Sequence, residues 1–534
     1  MRRACLLPLA LARPLLACLL ALLAATAPAQ APRVLRLASA NDPQTMDPHA
    51  VALLYNSRVM QQIYEGLVDR DEQFRLQPAL ALSWQPVDGK TWRFKLRPGV
   101  KFHDGSAFSA DDVVFSIERA LAPHSQRALQ LRGITGARKV DALTVDVLLQ
   151  ATDAVLPQKL WNVLIMSRAW AEQHEVSRPQ DYNAKQETFA VRNAMGTGPF
   201  MLRRYEADAR TTLAAFPQWW GRDSHRGNLD EVQFQVIQAD ATRLAALSSG
   251  QVDVVLDPPF QDVQRLRQAG GLQVLQTPDI GTQMLAFDQH SDELPGSDIR
   301  GRNPFRDPRV RRAVYQALDM DLIVRQVLRG QGQATGSMLS GLMDGYRPEF
   351  EQGRPRYDPA AARALLKDAG YPQGFAFPFD CLNVGFRAAV CQAMTAMLER
   401  VGLRARLQTA PASLFFPKLT QATISAAEFG WSPSPDPWLV LQPLLHTQDG
   451  NGGGVFNAGR YSNAELDALI DAVRVEPDLA RRRDLVAEAM RLVGRELPVL
   501  PLYRVMQIWV ARPGVTLVQW PNSVAPLRFA RIER

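Results

Sequence analysis

The chain has 534 residues, of which 46% are hydrophobic and 22% are charged, and its formal net charge is +7 at pH 7. This length predicts roughly two to four packed units, and the composition excludes a disordered tail protein, a collagen-like fibre and a polytopic membrane protein. Basic residues are interleaved with acidic ones, so the positive charge is weak support for a nucleic-acid partner.

The start of the chain has the pattern of a secretory signal peptide spanning residues 1–29. Two arginines form a positive head, and residues 15–25 are an apolar run that is too short to cross a bilayer. Ala27 and Ala29 are the small residues that a signal peptidase recognises. We therefore expect cleavage before Gln30 and a periplasmic protein.

A lipid anchor is the alternative for the N-terminus. Leu15–Cys18 is similar to a lipobox, which would leave a lipidated Cys18. The apolar run continues past Cys18, whereas a lipoprotein usually turns polar at this point, so the cleaved signal peptide is the preferred prediction. No later segment of the sequence is long and apolar enough to span a membrane.

Apolar patterns along the chain predict strands that alternate with helices, which is typical of an α/β protein. Residues 34–38 alternate in polarity and predict a first strand, and residues 57–64 place apolar side chains at helical spacing. Residues 91–97 alternate again, which predicts a strand whose core-facing side chains include Trp92 and Phe94.

Capping residues predict further helices. Ser109 stands three residues before Asp112, as in a capping box, and predicts a helix that runs to about residue 120. Asp358 and Pro359 open a second helix. Two late amphipathic helices are predicted at residues 464–473 and 479–493.

Catalytic and metal-binding motifs are absent from the sequence. There is no nucleophile elbow, Walker-type loop, dinucleotide-binding glycine pattern or zinc-protease helix motif. None of the seven histidines has a His or Cys partner at metal-ligand spacing. We therefore predict a protein that is not an enzyme and that has no cofactor and no metal. Because folding can bring distant groups together, a secreted α/β hydrolase or transferase is the alternative from another class.

Export determines how the four cysteines are interpreted. Cys5 and Cys18 leave with the signal peptide, so Cys381 and Cys391 remain in an oxidising compartment, in which a pair tends to join. We predict a disulfide between them, which would stabilise the fold by on the order of 2–3 kcal/mol. Two buried free thiols are the alternative.

Short motifs recur in a fixed order along nearly the whole chain after the signal peptide. They are Tyr64–Leu67, Ala81–Trp84, Lys90–Arg97, Gly99–Gly105, Phe108–Ser116, Gly196–Phe200, Trp219–Gly221, Pro304–Phe305, Asp307–Ala313, Tyr461–Asn463 and Leu466–Asp467. Each motif alone is weak, but the ordered set resembles the family 5 extracellular solute-binding proteins. These are the dipeptide- and oligopeptide-binding class that feeds ABC importers.

The resemblance implies an α/β, two-lobed periplasmic binding protein of type II, in the large class with an extra domain in lobe one. The implied units are lobe one at residues 33–65, 191–278 and 513–534, the extra domain at 66–190, and lobe two at 279–512. The implied hinge strands cross between the lobes at Asp279–Phe287 and Tyr503–Arg512.

The same resemblance implies a function. The protein would be a monomeric, periplasmic component of an ABC importer that captures a peptide or peptide-like solute and delivers it to permease subunits in the membrane. A glutathione-like solute, a metal chelate or haem is the alternative cargo. The last two would need a His or Met ligand in the cleft, for which Met46 and His446 are the candidates.

Peptide-binding relatives neutralise the charged ends of their ligands, and the resemblance implies where an amine contact would fall. Their acid follows a Gly-Trp pair, which is Gly430–Trp431 in this chain. Ser434 falls at the expected position, and Asp436 lies two residues on. Either Asp436 serves the amine or the ligand has no amine.

Dipeptide binders hold the ligand's carboxylate with an Arg that follows a turn matching residues 370–375 of this chain. Cys381 lies near that position, and Arg387, six residues on, is the nearest cation. Arg387 would either reach the cleft or be a surface charge. A peptide and a non-peptide solute both remain open.

Five further side chains are candidates for the ligand-facing surface, and core packing is the alternative for each. Trp431 is expected to stack on the ligand. The other four are Met46, Tyr55, Met338 and Phe386.

Overall fold

A computed structural model describes most of the chain after the predicted signal peptide. The described ranges are 31–224, 226–383, 385–432, 435–450 and 452–533. The predicted signal peptide, the alternative lipidation at Cys18, and Ser434 lie outside them. Within these ranges, no helix has the length and apolar character of a membrane span.

Twenty strands form the sheets of the described chain. They are β1 (Val34–Ser39), β2 (Val68–Arg70), β3 (Leu76–Pro78), β4 (Ala81–Asp88), β5 (Thr91–Leu96), β6 (Ile134–Asp141), β7 (Thr144–Leu149), β8 (Phe200–Glu206), β9 (Arg210–Ala215), β10 (Glu231–Val236), β11 (Val254–Leu256), β12 (Gln273–Pro278), β13 (Thr282–Phe287), β14 (Gly332–Ala334), β15 (Phe375–Leu382), β16 (Leu403–Ala410), β17 (Ala426–Trp431), β18 (Val499–Ala511), β19 (Val515–Thr516) and β20 (Arg531–Ile532).

The α-helices of the described ranges separate these strands along the chain. They are α1 (Leu54–Ile63), α2 (Ala110–Leu121), α3 (Leu156–Leu160), α4 (Arg168–Gln173), α5 (Phe189–Arg192), α6 (Asp240–Ser249), α7 (Phe260–Gln268), α8 (Pro308–Ala317), α9 (Met320–Gln326), α10 (Pro359–Asp368), α11 (Arg387–Glu399), α12 (Ala412–Thr420), α13 (Trp438–Leu445), α14 (Ala464–Val475) and α15 (Leu479–Glu496). Short 3₁₀ turns lie at Ala128–Leu131, Arg222–Ser224, Pro304–Arg306, Pro348–Gly353 and Leu527–Phe529.

A twelve-stranded mixed sheet joins two halves of the molecule through one long strand, β18. Its path runs β16-β15-β17-β13-β18-β11-β1-β10-β9-β8, and β12 and β14 also pair with β18. The first part of β18 pairs with β13 and β14, and its last part pairs with β11 and β12. Tyr503 and Trp509, both on β18, belong to two different hydrophobic cores. The strand is therefore shared by both halves.

A separate four-stranded antiparallel sheet, β4-β5-β7-β6, lies within residues 81–149. Helix α2 covers it with Val113, Ile117 and Ala120, which recur at helical spacing and are fully buried. Phe94 of β5 is buried beneath them, whereas Trp92 is only half-buried and donates its indole N–H to the Asp153 carbonyl at 3.1 Å. This sheet has its own core, distinct from those of the twelve-stranded sheet.

Local capping chemistry explains where the helices begin. Ser109 and Asp112 form the reciprocal capping box at the start of α2. Asp358 accepts the backbone N–H groups of residues 360 and 361 at the start of α10, with Pro359 at the first helical position. Helix α14 starts at the predicted residue and runs two residues further than predicted, and α15 runs three residues further.

Cys381 and Cys391 are joined in the disulfide that the sequence predicts, and both residues are fully buried. The bond ties the end of β15 to the first turns of α11. Glu428 lies within 4.8 Å of both sulfurs. Because the two sulfurs are bonded to each other, this cluster does not offer free thiolates to a metal.

Candidate ligand-binding site

A cavity of about 720 Å³ is lined by three distant parts of the chain. The first is helix α1 with the residues just before it, the second lies within residues 126–162, and the third lies within residues 431–474. The wall is completed by Phe74, Asp279, Gln507, Asn522 and Val524. The volume falls in the range of about 300–1,000 Å³ that is usual for small-molecule sites.

Aromatic side chains supply the apolar part of the wall. Trp431, at the end of β17, lies 4.9 Å from Phe456 between ring centroids and donates its indole N–H to the Leu439 carbonyl at 2.9 Å. Phe74 and Trp161 pack edge-to-face at 5.4 Å on another part of the wall. Such surfaces suit the faces or apolar side chains of an organic solute.

Two cations of the wall share one buried acid, Asp153. The Lys159 ammonium lies 2.5 Å from the Asp153 carboxylate, and the Arg474 guanidinium lies 3.8 Å from it. Burial lowers the pKa of Lys159, while the Asp153 charge works in the opposite direction. Lys159 also lies 4.5 Å from the ring centroid of Trp438. These contacts connect the segment around α3 to helices α13 and α14.

Arg127 lines the same cavity but has no acidic partner among the described residues. The side chain is about 5% exposed, and its Nε is buried without a hydrogen-bond partner. Burial lowers the pKa of Arg127 to about 10. A buried cation without a partner is energetically unfavourable, so an incoming anion would stabilise it.

Asp279 is the acid that lines the described cavity wall. Its carboxylate accepts hydrogen bonds from the Gly281 N–H at 2.7 Å, from the Ser432 hydroxyl at 3.0 Å and from the Gln507 side-chain amide. Burial raises the pKa of Asp279, and the more distant charge of Arg387 works against that shift.

Among the side chains that the sequence predicts to contact the ligand, Trp431 lines the cavity. Asp436 lies close to it but is about 3% exposed and forms a two-bond pair with Arg482, at 2.8 and 3.0 Å. Its carboxylate also accepts the Trp438 N–H at 2.8 Å, at the start of α13. Asp436 therefore serves the protein's own packing in this conformation. Ser434 lies outside the described residues.

Phe386 and Arg387 lie at the start of α11 and do not line the cavity. Phe386 stacks on Phe260 at 5.1 Å between ring centroids. Arg387 lies 3.6 Å from the fully buried Glu428, whose pKa is raised by burial and held back by the Arg387 charge and the Tyr503 hydroxyl. Both predicted residues thus pack within the core that contains β15 and α11.

The two methionines and Tyr55 are also away from the large cavity. Met46 and Met338 are buried in two hydrophobic cores. Tyr55 lines a separate crevice of about 10 Å³, with the Arg58 guanidinium 5.5 Å from its ring centroid. The two methionines thus lie where core packing would put them, whereas Tyr55 is half-buried at its crevice.

His446, the other candidate for a metal or haem ligand, does not line the cavity either. Its Nδ1 lies 2.7 Å from the Thr447 carbonyl, and Asp467 and Asp471 lie nearby. Burial works to lower the pKa of His446, but the Thr447 carbonyl and these acids outweigh it and raise the pKa. The described cavity wall contains no His, Cys or Met side chain.

Sequence patterns did not single out Arg127, Lys159 or Asp279. Arg127 lies in an irregular segment between α2 and a 3₁₀ turn, so it belongs to no periodic face. Lys159 is on a five-residue helix that opens with a proline in its first turn. For Asp279, the sequence did contain a signal. It is the first residue of the segment predicted to cross between lobes, and a segment that crosses between lobes lies at the floor of the cleft.

Comparison with known proteins places the chain in a family. The model of the family described as "Bacterial extracellular solute-binding proteins, family 5 Middle" matches residues 75–452. Heme-binding protein A of Haemophilus influenzae is 28% identical over 474 residues, which is 83% of this chain and 81% of that protein. Di/tripeptide-binding protein 3 of Pseudomonas aeruginosa is 27% identical over 456 residues, covering 80% of each chain.

A solved structure shows the same fold. The periplasmic binding protein DppA from Helicobacter pylori, in complex with the peptide STSA, superimposes with a TM-score of 0.75 at 23% identity and covers 94% of this chain and 98% of its own. The fold is that of a two-lobed periplasmic binding protein, as the sequence predicts. The chain belongs to the bacterial extracellular solute-binding proteins of family 5.

Proposed function

We propose that this protein is the periplasmic solute-binding component of an ABC importer, and that it captures a peptide or peptide-like solute and hands it to membrane permease subunits. The observation that carries this proposal is the cavity of about 720 Å³ whose wall combines aromatic faces with a buried cation and a buried acid. Relatives named for di- and tripeptide binding support the same class of cargo.

Closure of the two lobes around the cargo is the proposed mechanism. The wall near α3 and the wall near α14 are in contact through the Asp153–Arg474 ion pair and through the Ala154 N–H, which donates to the Arg474 carbonyl at 2.9 Å. A solute that touches both walls gains its full set of contacts when they are together, so its differential affinity shifts the population toward the closed form.

Binding without chemistry follows from the side chains of the wall. The described lining residues include no histidine and no cysteine, and the Ser432 hydroxyl, which donates to Asp279 at 3.0 Å, has no histidine base beside it among them. We therefore propose a carrier rather than a hydrolase or transferase.

Haem or a metal chelate is the second candidate cargo, because one relative is named as a haem-binding protein. Axial ligation of haem iron uses His, Cys, Met or Tyr, and the described lining residues include none of them. We therefore place peptide-like solutes first.

Native mass spectrometry of the purified protein, followed by a thermal-shift screen, tests the proposal. Pools of dipeptides, tripeptides and oligopeptides are compared with glutathione, haem and metal chelates, because a ligand that binds the folded state raises the melting temperature by mass action. We expect a peptide or glutathione to produce the largest rise. A rise with haem alone, or turnover of an added peptide, would refute the proposal.

A further inference from the structure

We propose that the cavity holds its cargo as a zwitterion, with the Arg127 guanidinium taking a carboxylate of the ligand and Asp279 taking its ammonium group. This inference rests on the proposed function, since it specifies the end groups of the peptide-like solute. It also moves both charged contacts away from Arg387 and Asp436, the residues that the sequence predicts for these roles.

The backbone around Arg127 is fixed on both sides, while its side chain is left without partners. The Gln126 N–H donates to the His49 carbonyl at 3.2 Å, and the Gln126 side chain accepts the Ala52 N–H at 2.9 Å. The Arg127 N–H donates to the Ser125 hydroxyl at 3.2 Å. Arg127 is therefore held in place by its neighbours, and its guanidinium faces the cavity without a hydrogen bond or ion pair among the described residues.

A buried acid on the first-lobe side of the chain, Asp47, does not neutralise Arg127. Both Asp47 oxygens are engaged by Arg119, at 2.6 and 2.7 Å. Two other cations of the cavity wall, Lys159 and Arg474, share Asp153, and Arg132 is exposed. An unpaired buried guanidinium is strongly unfavourable unless an anion arrives, and a ligand carboxylate matches its two-pronged geometry.

Asp279 is the complementary case. Its three donors, Gly281, Ser432 and Gln507, are neutral groups, and no cation lies within 4.0 Å of it among the described residues. Arg387, whose charge reaches Asp279, is already paired with Glu428. An ammonium group would supply the charge that these neutral donors lack.

The two groups belong to different walls of one cavity, with Arg127 in the segment after α2 and Asp279 in the short connection between β12 and β13. A ligand that bridges them must carry a carboxylate at one end and an ammonium at the other. This is the chemistry of a short peptide with free termini or of another amino-acid-based zwitterion. Trp431 would contact the part of the ligand between its charged ends.

Three peptide pools with different end groups test the assignment: di- and tripeptides with free termini, the same peptides with N-acetyl caps, and the same peptides with C-terminal amides. Thermal shift and native mass spectrometry measure their binding to the wild type and to Arg127→Gln, Arg127→Lys and Asp279→Asn. Arg203→Gln, at an exposed arginine of β8 that does not line the cavity, is the matched control. The melting temperature of each unliganded variant reports on folding.

We expect the wild type to bind the free pool at least about tenfold more tightly than either capped pool, because charge-assisted hydrogen bonds are stronger than neutral ones. Arg127→Gln should abolish the preference for a free carboxylate, Arg127→Lys should restore part of it, and Asp279→Asn should abolish the preference for a free amine. Arg203→Gln should keep both preferences. The unliganded melting temperature of Arg127→Gln should be unchanged or higher, whereas a purely structural arginine would give a lower one.

Two outcomes overturn the inference in distinguishable ways. If the wild type binds the free pool, but the Arg127→Gln and Asp279→Asn variants discriminate between free and capped pools as well as the wild type does, the inference is refuted. The proposed function then still stands. A wild type that binds no pool refutes the peptide function and this inference with it. If a variant fails to fold, the binding of free and capped pools to the wild type still tests the inference. Equal binding of all three pools would contradict recognition of the ligand as a zwitterion.

Discussion

Two charged regions near the same cavity differ in how their charges are satisfied. Around α13 and α14, Lys159 and Arg474 share Asp153, and Arg482 pairs with Asp436. Across the wall, within the described part of the chain, Arg127 has no acidic partner and Asp279 has no cation within 4.0 Å. Buried charges that find partners within the chain hold the protein together, whereas buried charges that lack them are available to a ligand. The following experiments test this division.

The largest effect is expected from breaking the Asp436–Arg482 pair. Asp436→Ala leaves the buried Arg482 guanidinium without its partner, which should lower the free energy of unfolding by about 3–5 kcal/mol. Denaturant unfolding monitored by tryptophan fluorescence measures the change. Glu172→Ala, which removes an exposed pair with Arg168, is the control and should change stability by less than about 1 kcal/mol. Equal effects of the two substitutions would contradict a structural role for Asp436.

The disulfide is a second internal tie that should matter for stability and not for binding. It closes a loop between residues separated by 10 positions, so replacing both cysteines by Ala should cost about 2–3 kcal/mol. Neither cysteine lines the cavity, so affinity for the preferred peptide pool should stay within about twofold. Melting curves with and without a reductant measure the first effect. A tenfold loss of affinity would show that the loop of residues 382–390 shapes the site.

Trp431→Ala should show the opposite pattern, with a large effect on binding and a small one on folding. The indole is half-buried on the cavity wall, so we expect affinity to fall about 10- to 100-fold. Trp84→Ala, a half-buried tryptophan of β4 that does not line the cavity, is the matched control. Calorimetric titration and unliganded melting temperatures separate the two effects. Intact affinity with a collapsed melting temperature would assign Trp431 to packing.

A further expected effect is a pH dependence at Glu65, a largely buried acid that, like Asp279, accepts hydrogen bonds from neutral groups. Its donors are Thr197, Trp219 and Trp220, and burial raises its pKa to about 7. The folded state therefore binds a proton that the unfolded state has lost above its own pKa of 4.5. This contribution to stability is complete below about pH 4.5 and is lost as the pH rises through about 7.

Glu65→Gln removes this dependence. The stability of the variant relative to the wild type should therefore rise between about pH 5 and pH 8. Melting temperatures of both proteins across that range provide the measurement. Glu172→Gln, at an exposed acid, should track the wild type at every pH. A constant difference between Glu65→Gln and the wild type would mean that Glu65 stays ionised.

Elements of the fold could be predicted from the sequence because their causes are local. The capping box at Ser109, the Asp358–Pro359 helix start and the alternation in β5 all act within a few residues. The disulfide was predictable from the compartment and the even number of cysteines that follow the signal peptide. The two-lobed fold followed from the ordered motifs and not from any one of them.

The site was less predictable because its geometry depends on distant pairings. Asp436 pairs with Arg482, 46 positions away, and this pairing is not visible in the local pattern that suggested an amine contact. Met46 and Met338, which the sequence suggests as ligand-facing side chains, lie in hydrophobic cores. Arg127 and Asp279 lie far apart in sequence, and only the tertiary fold brings them to one cavity.

Strand β18 follows, along the chain, the strands that it joins, and this order has a consequence for folding. Strands from both halves, including β11 and β13, pair with residues 499–511. Until those residues have been synthesised, each of these strands has one edge without its partner. We therefore expect a chain interrupted before Val499 to leave the twelve-stranded sheet incomplete in both halves.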